Sequence, residues 1–188
     1  MRKTVLVPIA DGTEELEAVT MIDVLRRGGA EVTVASVMEE LEITASRGVR
    51  LVADCGIEDV PDNTYDLIAL PGGMPGAEHL RDCEPLIEML KEQKKSGRLY
   101  AAICASPAVV LAKHGLLEGK KSVVCHPAMQ EKLPADVLSS DRVAVDGNCV
   151  TSQGPGTAIE FSLELVRQLF GEQREAQVAG PMVVAAYA

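Results

Sequence analysis

"RLYAAICASPAVVLAKHG", residues 98–115, joins two opposite kinds of segment across one cysteine. Up to Ile103 it runs apolar, with strand character; after Cys104 come Ser106, Pro107 and a helix-like pattern. A thiol at such a seam has two readings. Cysteine is a small hydrophobe, often buried in a core. Alternatively, a strand that turns sharply into a helix holds its junction residue strained and exposed, the device of a nucleophile elbow. The flanking glycines of a GxSxG elbow are missing here, whereas Pro107 suits a first helical turn, where no N–H is needed.

The segments around the seam alternate. "KTVLVPIA" reads as a buried strand, "DGTEELEAVTMIDVLRRGG" as a helix with acids in its first turn and Arg26, Arg27 and two glycines at its close, and "AEVTVASV" as a second strand. "LEITASRGVRLVAD" has hairpin spacing around Arg47-Gly48, and "YDLIALPGG" is another buried strand ending in glycines. A helix is expected from about Pro85 to Lys95, a short strand in "KSVVCHP", and two strands in "RVAVDGNCVTSQ". "GTAIEFSLELVRQLFG" is amphipathic, with Ile159, Leu163, Val166 and Phe170 at helical spacing. Such alternation predicts one α/β domain over residues 1–188, a mainly parallel sheet covered on both faces. In such sheets reactive groups collect beyond the carboxyl ends of the strands. Residues 11–17, Gly72-Gly73, Cys104 and His126 each follow a predicted strand, a convergence that a packing cysteine does not explain.

Bulk properties narrow the function. The chain has 188 residues, 47% hydrophobic and 24% charged, an ordinary globular composition. A net charge of -10, with scattered cations, argues against a phosphate-backbone binder. Five widely spaced cysteines without a CxxC pair suggest neither a disulfide framework nor a zinc site. The apolar run after Met1 is too short for a signal segment and no stretch reaches membrane-spanning length, so no membrane association and a cytoplasmic location are expected. Cys55, Cys83, Cys125 and Cys149 read as packing residues, His79 and His114 as surface residues. "PGGMPG" lacks the Lys-Ser/Thr ending of a phosphate loop and reads as an amide cradle.

An unperturbed thiol, with a pKa of ~8.5, is only a few per cent thiolate at neutral pH. Full ionisation needs a drop of roughly three units, about 4 kcal/mol. A helix N-terminus after Cys104 supplies part of that, and a hydrogen-bond donor must supply the rest.

Together, "GTEELEAV", "SRGV", "LPGGMPGAE", "AAICASPA", "CHPAM" and "TSQGPGTAIEF" closely resemble the ThiJ/PfpI superfamily, specifically its parkinsonism-associated deglycase subgroup. The resemblance covers essentially the whole chain, and "TSQGPGTAIEF" and "EAQVAGPMVVAA" look most like the bacterial branch. It implies a flavodoxin-like three-layer α/β/α sandwich, a nucleophile-elbow cysteine, a homodimer and no cofactor or metal. Carried over by position, Cys104 matches the reactive cysteine, Glu17 the acid that contacts it, and His126 the nearby histidine, with Asp23 to orient it. Gly72, Gly73 and Ala105 match the substrate or oxyanion cradle; Arg47 and Arg27 match residues lining the approach, one of them from the partner subunit. By itself each of Glu14, Glu15 and Glu17 reads as a solvated helix-start acid, and a single histidine near a strand end is more often structural than a base. Given the match, sign constrains Glu17: a carboxylate beside sulfur raises the thiol pKa, and only a protonated acid donating to the thiolate lowers it. The pair is therefore expected to hold one proton as S⁻ with COOH.

Departures from the superfamily matter too. Proteases there place histidine directly after the nucleophile, where this chain has Ala105, and amidotransferases need an acid where Ala128 stands. Ser106, Met74 and Gln153 also differ from many relatives. Two functions remain. One is a cofactor-independent glyoxalase or deglycase, a lyase or hydrolase that turns methylglyoxal, glyoxal or their early protein or nucleotide adducts into lactate or glycolate. The other is a redox-responsive stress protein or chaperone whose cysteine is oxidised to sulfinate.

Overall fold

A computed structural model describes residues 2–60 and 64–185; Ala186, the last residue of the quoted tail motif, lies outside them. In chain order the elements are β1 (Thr4–Ile9), α1 (Glu15–Gly28), β2 (Glu31–Ser36), β3 (Glu42–Thr44), β4 (Arg50–Val52), β5 (Cys55–Gly56) and β6 (Leu67–Leu70). There follow α2 (Gly76–Asp82), α3 (Glu84–Ser96), β7 (Leu99–Ile103), β8 (Val143–Asp146), β9 (Cys149–Ser152), α4 (Ala158–Phe170) and α5 (Glu172–Ala179). Seven strands form one sheet in the order β5-β2-β1-β6-β7-β9-β8, parallel except for β8; β3 and β4 make a separate antiparallel hairpin.

Strand periodicity sorts the core into two layers. Val5, Val7, Ile9, Ala101 and Ile103 point to the face covered by α1, α4 and α5, whereas Leu6, Ile68, Leu70, Tyr100 and Ala102 point to the face under α2 and α3. The result is a flavodoxin-like three-layer α/β/α sandwich: alternation predicts the covered parallel sheet, and the resemblance implies the flavodoxin-like form. From β1 the chain winds outward to β2 and β5, then returns to the other side of β1 to lay down β6, β7 and β9. The carboxyl ends of β1 and β6 thus flank the point where strand order reverses, the crevice where open α/β sheets place ligands.

Local departures have physical causes. "KSVVCHP" forms no strand: Val123 makes a lone parallel bridge with Leu138, Val124 N–H donates to the Thr151 hydroxyl, and His126 N–H donates to the Cys104 carbonyl. Side-chain and loop acceptors take the amides that a ladder would have used. The segment after Cys104 is a π-helical turn, Pro107–Leu111, so the expected α-helical dipole is short. On α4, Ile159 is 44% exposed; Ala158, Phe161, Ser162, Leu165 and Val166 face inward. Close approach of α1 explains the small residues, since a Cβ at Gly28 would stand 3.0 Å from a Val166 methyl.

Candidate active site

Cys104 closes β7 in the left-handed conformation, φ 65°, which a side chain adopts only when its surroundings hold it there. They do: its N–H donates to the Ser152 carbonyl (3.1 Å), and its own carbonyl accepts from His126 N–H (2.8 Å). The half-buried residue opens into a cavity of about 320 Å³ lined by Glu14, Ser46, Arg47, Gly73, Met74, Ala105, His126, Ala128, Met129 and Pro155.

Glu17 lies beneath the sulfur, fully buried on the second half-turn of α1. Its Oε2 accepts the Gly72 amide at 2.7 Å, while Oε1 is buried with no hydrogen-bond partner among the described residues. Burial is the main force on its acidity and pushes the carboxyl up to about 7, against the Gly72 amide and the Cys104 thiol. Burial also pushes Cys104 up, to about 12, followed by the Glu17 charge and hydrogen bond; the Gly73 and Ala105 amides pull the other way. The thiol lowered by a helix end, as expected from sequence, is thus not what a charged Glu17 and a five-residue turn produce. Two anions cannot share this site, so the groups titrate as one unit holding a proton at neutral pH. A proton on Oε1 gives that orphan oxygen a donor's role toward sulfur.

The cradle is more divided than its motif suggests. Gly73 and Ala105 amides face the sulfur, but the Gly72 amide goes to Glu17, so Gly72 serves the acid and is not free for an oxyanion. Neither glycine tolerates a side chain. A Cβ at Gly72 would stand 2.6 Å from Cys104 Cβ and 2.9 Å from Glu17 Oε2; one at Gly73 would strike the Gly12 carbonyl and Glu14 amide.

His126 lines the cavity half-buried, its Nδ1 accepting from Ala128 N–H at 3.2 Å. A neutral ring therefore carries its proton on Nε2. Arg47 is exposed at the rim and its guanidinium makes no hydrogen bond or ion pair among the described residues. Arg27 does not line this cavity: it sits in the last turn of α1, its Nε donating to Asp23 at 2.8 Å, so Asp23 does not orient His126 within this chain either. His79 and His114 are half-buried, and His114 Nε2 lies 2.8 Å from the Arg81 carbonyl, a structural contact. Cys125 and Cys149 are buried and Cys55 and Cys83 half-buried.

Sequence reasoning missed Glu15. It is only 9% exposed and accepts from the Ser46 hydroxyl (2.8 Å) and the Arg47 amide (2.8 Å), pinning the β3–β4 turn beside the cavity. Glu14 joins the clamp by accepting from Ser46 at 2.7 Å while capping α1 through the Leu16 amide. Desolvation opposes ionisation of Glu15, but its own amide, Ser46 and the Arg47 and Val49 amides overcome it, holding the carboxyl below its ordinary range.

A flavodoxin-like sheet with a left-handed cysteine at a strand-to-helix turn, set against a buried acid, defines a cysteine-elbow α/β protein. The chain belongs to the DJ-1/PfpI family, whose model matches residues 3–168. It is 52% identical to protein DJ-1 homolog B of Arabidopsis thaliana over 97% of this chain and 42% of that protein, so it spans under half the length of that relative. The glutathione-independent glyoxalase DJR-1.2 of Caenorhabditis elegans is 38% identical, covering 96% of this chain and 95% of its own. Among solved structures, that of oxidized Toxoplasma gondii DJ-1 superposes with a TM-score of 0.95 at 50% identity, covering 97% of this chain and 99% of that one.

Proposed function

We propose that this chain is a cofactor-independent, cysteine-dependent glyoxalase that also acts as a deglycase on early dicarbonyl adducts. The observation that carries the reading is the Cys104–Glu17 pair: a left-handed cysteine at the floor of a ligand-sized cavity, with an acid of pKa about 7 buried against it. A relative bearing the glyoxalase name supports the reaction class.

In the proposed course the sulfur attacks the aldehyde carbon of methylglyoxal, forming an S–C bond, and the aldehyde oxygen takes the Glu17 proton. The Gly73 and Ala105 amides face the reacting sulfur and stabilise developing negative charge beside it. Glu17, now a carboxylate, removes the hydrogen from that carbon and returns it to the neighbouring carbon. The proton of the hemithioacetal hydroxyl passes to the neighbouring carbonyl oxygen, so that the first carbon becomes a thioester carbonyl and the second a hydroxyl-bearing carbon. The first carbon is oxidised by the amount the second is reduced, so no external oxidant enters. Water then cleaves the thioester to lactate and restores the thiol; glyoxal gives glycolate by the same steps. Deglycation differs in its first step: the aldehyde begins as a hemithioacetal or hemiaminal on a protein or nucleotide group. The sulfur displaces that group as its C–S or C–N bond breaks, and the Glu17 proton goes to the departing thiol or amine.

The proposed enzyme is a cytoplasmic homodimer formed as one domain. Leu16 and Val19 on the outer face of α1, 50% and 48% exposed, support a partner there, and in the proposed dimer Arg27 of the same helix approaches the partner's cavity. No described helix is long and apolar enough to cross a membrane. The deciding experiment is turnover of methylglyoxal without glutathione or metal by wild type, Cys104→Ala and Glu17→Gln: many turnovers by wild type and loss in both variants are expected. Consumption of less than one equivalent by wild type refutes the enzyme. A redox-sensing role is the second reading, supported by the amides around Cys104 and the Glu17 proton, which suit sulfinate oxygens. Peroxide treatment followed by intact mass then adds oxygen to Cys104 before the other cysteines.

A further inference from the structure

Serines in this chain's helices usually turn back on their own helix. Ser96 donates to the Glu92 carbonyl at 2.6 Å and Ser162 to the Ala158 carbonyl at 2.7 Å, the common i−4 pattern. Ser106, two residues after the reactive cysteine and fully buried, does otherwise: its hydroxyl donates to the Pro71 carbonyl, 35 positions away, at 2.5 Å. That carbonyl belongs to the same peptide unit as the Gly72 N–H, which donates to Glu17 Oε2 at 2.7 Å. A peptide unit is planar, so fixing its oxygen fixes the direction of its N–H. It is also polarisable, so a donor at the oxygen strengthens the N–H as a donor in turn.

We infer that Ser106 is a positioning residue that acts through the Pro71–Gly72 peptide to set how firmly Glu17 holds its proton. The chain of donors runs from the Ser106 hydroxyl to the Pro71 carbonyl, and from the Gly72 amide to the Glu17 carboxyl. Every link stabilises the carboxylate, so the hydroxyl makes Glu17 easier to ionise. The next amide, Gly73, faces Cys104 instead. Two consecutive N–H groups of one loop are thus divided between acid and sulfur, and Ser106 fastens that loop to the strand-to-helix turn carrying Cys104. Other groups acting on Glu17 are Cys104 from the end of β7 and Glu14 on its own helix. Arg47 from the hairpin and the His126 ring stand across the cavity, and the β6 loop contributes amides alone.

The inference deepens the proposed site and rests on one part of it, that Glu17 and Cys104 share a proton; it does not depend on which reaction the sulfur performs. The test follows the infrared band of the protonated Glu17 carboxyl with pH in the full chain, the band being assigned by its disappearance in Glu17→Gln. In Ser106→Ala the midpoint at which the band is lost should rise by roughly 0.3–0.6 pH unit, because the amide donates less strongly to the carboxylate. The direction is the same whether the shared proton resides mainly on oxygen or on sulfur. Ser106→Thr, which keeps the hydroxyl, should return the midpoint to the wild-type value. An unchanged midpoint in Ser106→Ala, even with a lowered melting temperature, would show that the hydroxyl only holds the fold and would overturn the assignment, as would Ser106→Thr titrating like Ser106→Ala. If Ser106→Ala does not fold, Ser106→Cys, a weaker donor, takes its place with a smaller upward shift expected and no shift overturning it. Turnover is not read, so failure of the glyoxalase assay and failure of this titration are separate results.

Discussion

Glu15 and Glu17 stand two residues apart on one helix, both withdrawn from solvent, and their acidities move in opposite directions. Glu15 faces the β3–β4 turn, where one hydroxyl and several backbone amides converge on it. Glu17 faces the sheet's edge, where a single amide reaches Oε2 and Oε1 has no hydrogen-bond partner among the described residues. Burial resists ionisation of both, and the number of donors decides which acid stays charged. One first turn therefore supplies a fixed anion that shapes the cavity and a neutralisable acid buried against the sulfur.

The sharpest attack on that contrast is chemical. Under the proposed mechanism, Glu17→Gln removes the proton that is shuttled and should lower kcat/KM for methylglyoxal by about 10²–10⁴-fold, the usual worth of a positioned acid–base group, and Cys104→Ala should abolish turnover. A Glu17→Gln enzyme with wild-type kinetics breaks the assignment.

Stability against pH separates the two acids next. Glu17 has a folded pKa of about 7 against an ordinary value of 4.5, so between these limits the folded state keeps a proton that the unfolded chain has lost. Its contribution is therefore largest at low pH and declines by up to about 3 kcal/mol as pH rises through that window. Glu15 has the opposite sign: its depressed pKa adds stability above the unfolded value that is lost as pH falls through the folded one. Denaturant titrations across pH 4–8 should show the decline in wild type and its absence in Glu17→Gln; a decline that persists in the variant belongs to some other group.

Smaller effects sharpen the picture. Gly72→Ala forces a methyl against Cys104 and Glu17, and should cost about 1–3 kcal/mol by chemical denaturation as well as displacing the pair. Glu15→Ala leaves the Arg47 amide without its acceptor, with a loss of about 1–3 kcal/mol and a KM that rises more than kcat falls. Equal losses in kcat and kcat/KM would place Glu15 in the chemistry and not in the shape of the cavity.

How much of this was legible depends on the range of the interaction. Strands such as "TVLVPI" and "LYAAI" are buried on both faces, so their composition announces them, whereas the left-handed conformation at Cys104 is held by Ser152 and His126 from distant parts of the chain. Cys104, Gly73 and Ala105 come together as expected, and Glu17 with them, but only resemblance distinguished Glu17 from Glu14 and Glu15. Nothing local marks Glu15 as a clamp, because its partners Ser46 and Arg47 arrive from a hairpin some thirty residues on (|i−j| of 31 and 32). Likewise "KSVVCHP" has a strand's composition, yet its amides find acceptors in Thr151 and Cys104, which no local pattern reveals. The sulfur's acidity is hidden for a related reason: the turn and its amides are visible in the sequence, but the burial that pushes the thiol up is set by packing.

The bonds that assemble the elbow tie Gly72 to Glu17, His126 to Cys104 and Cys104 to Ser152, spans that cross most of the described chain. No fragment carrying the cysteine alone owns the geometry; it arises when the switch in strand order is complete and both sides of β1 are occupied. Reactivity at this sulfur is thus a gauge of global folding, and a destabilised variant should fall silent through loss of the folded population, without any residue of the cavity having changed.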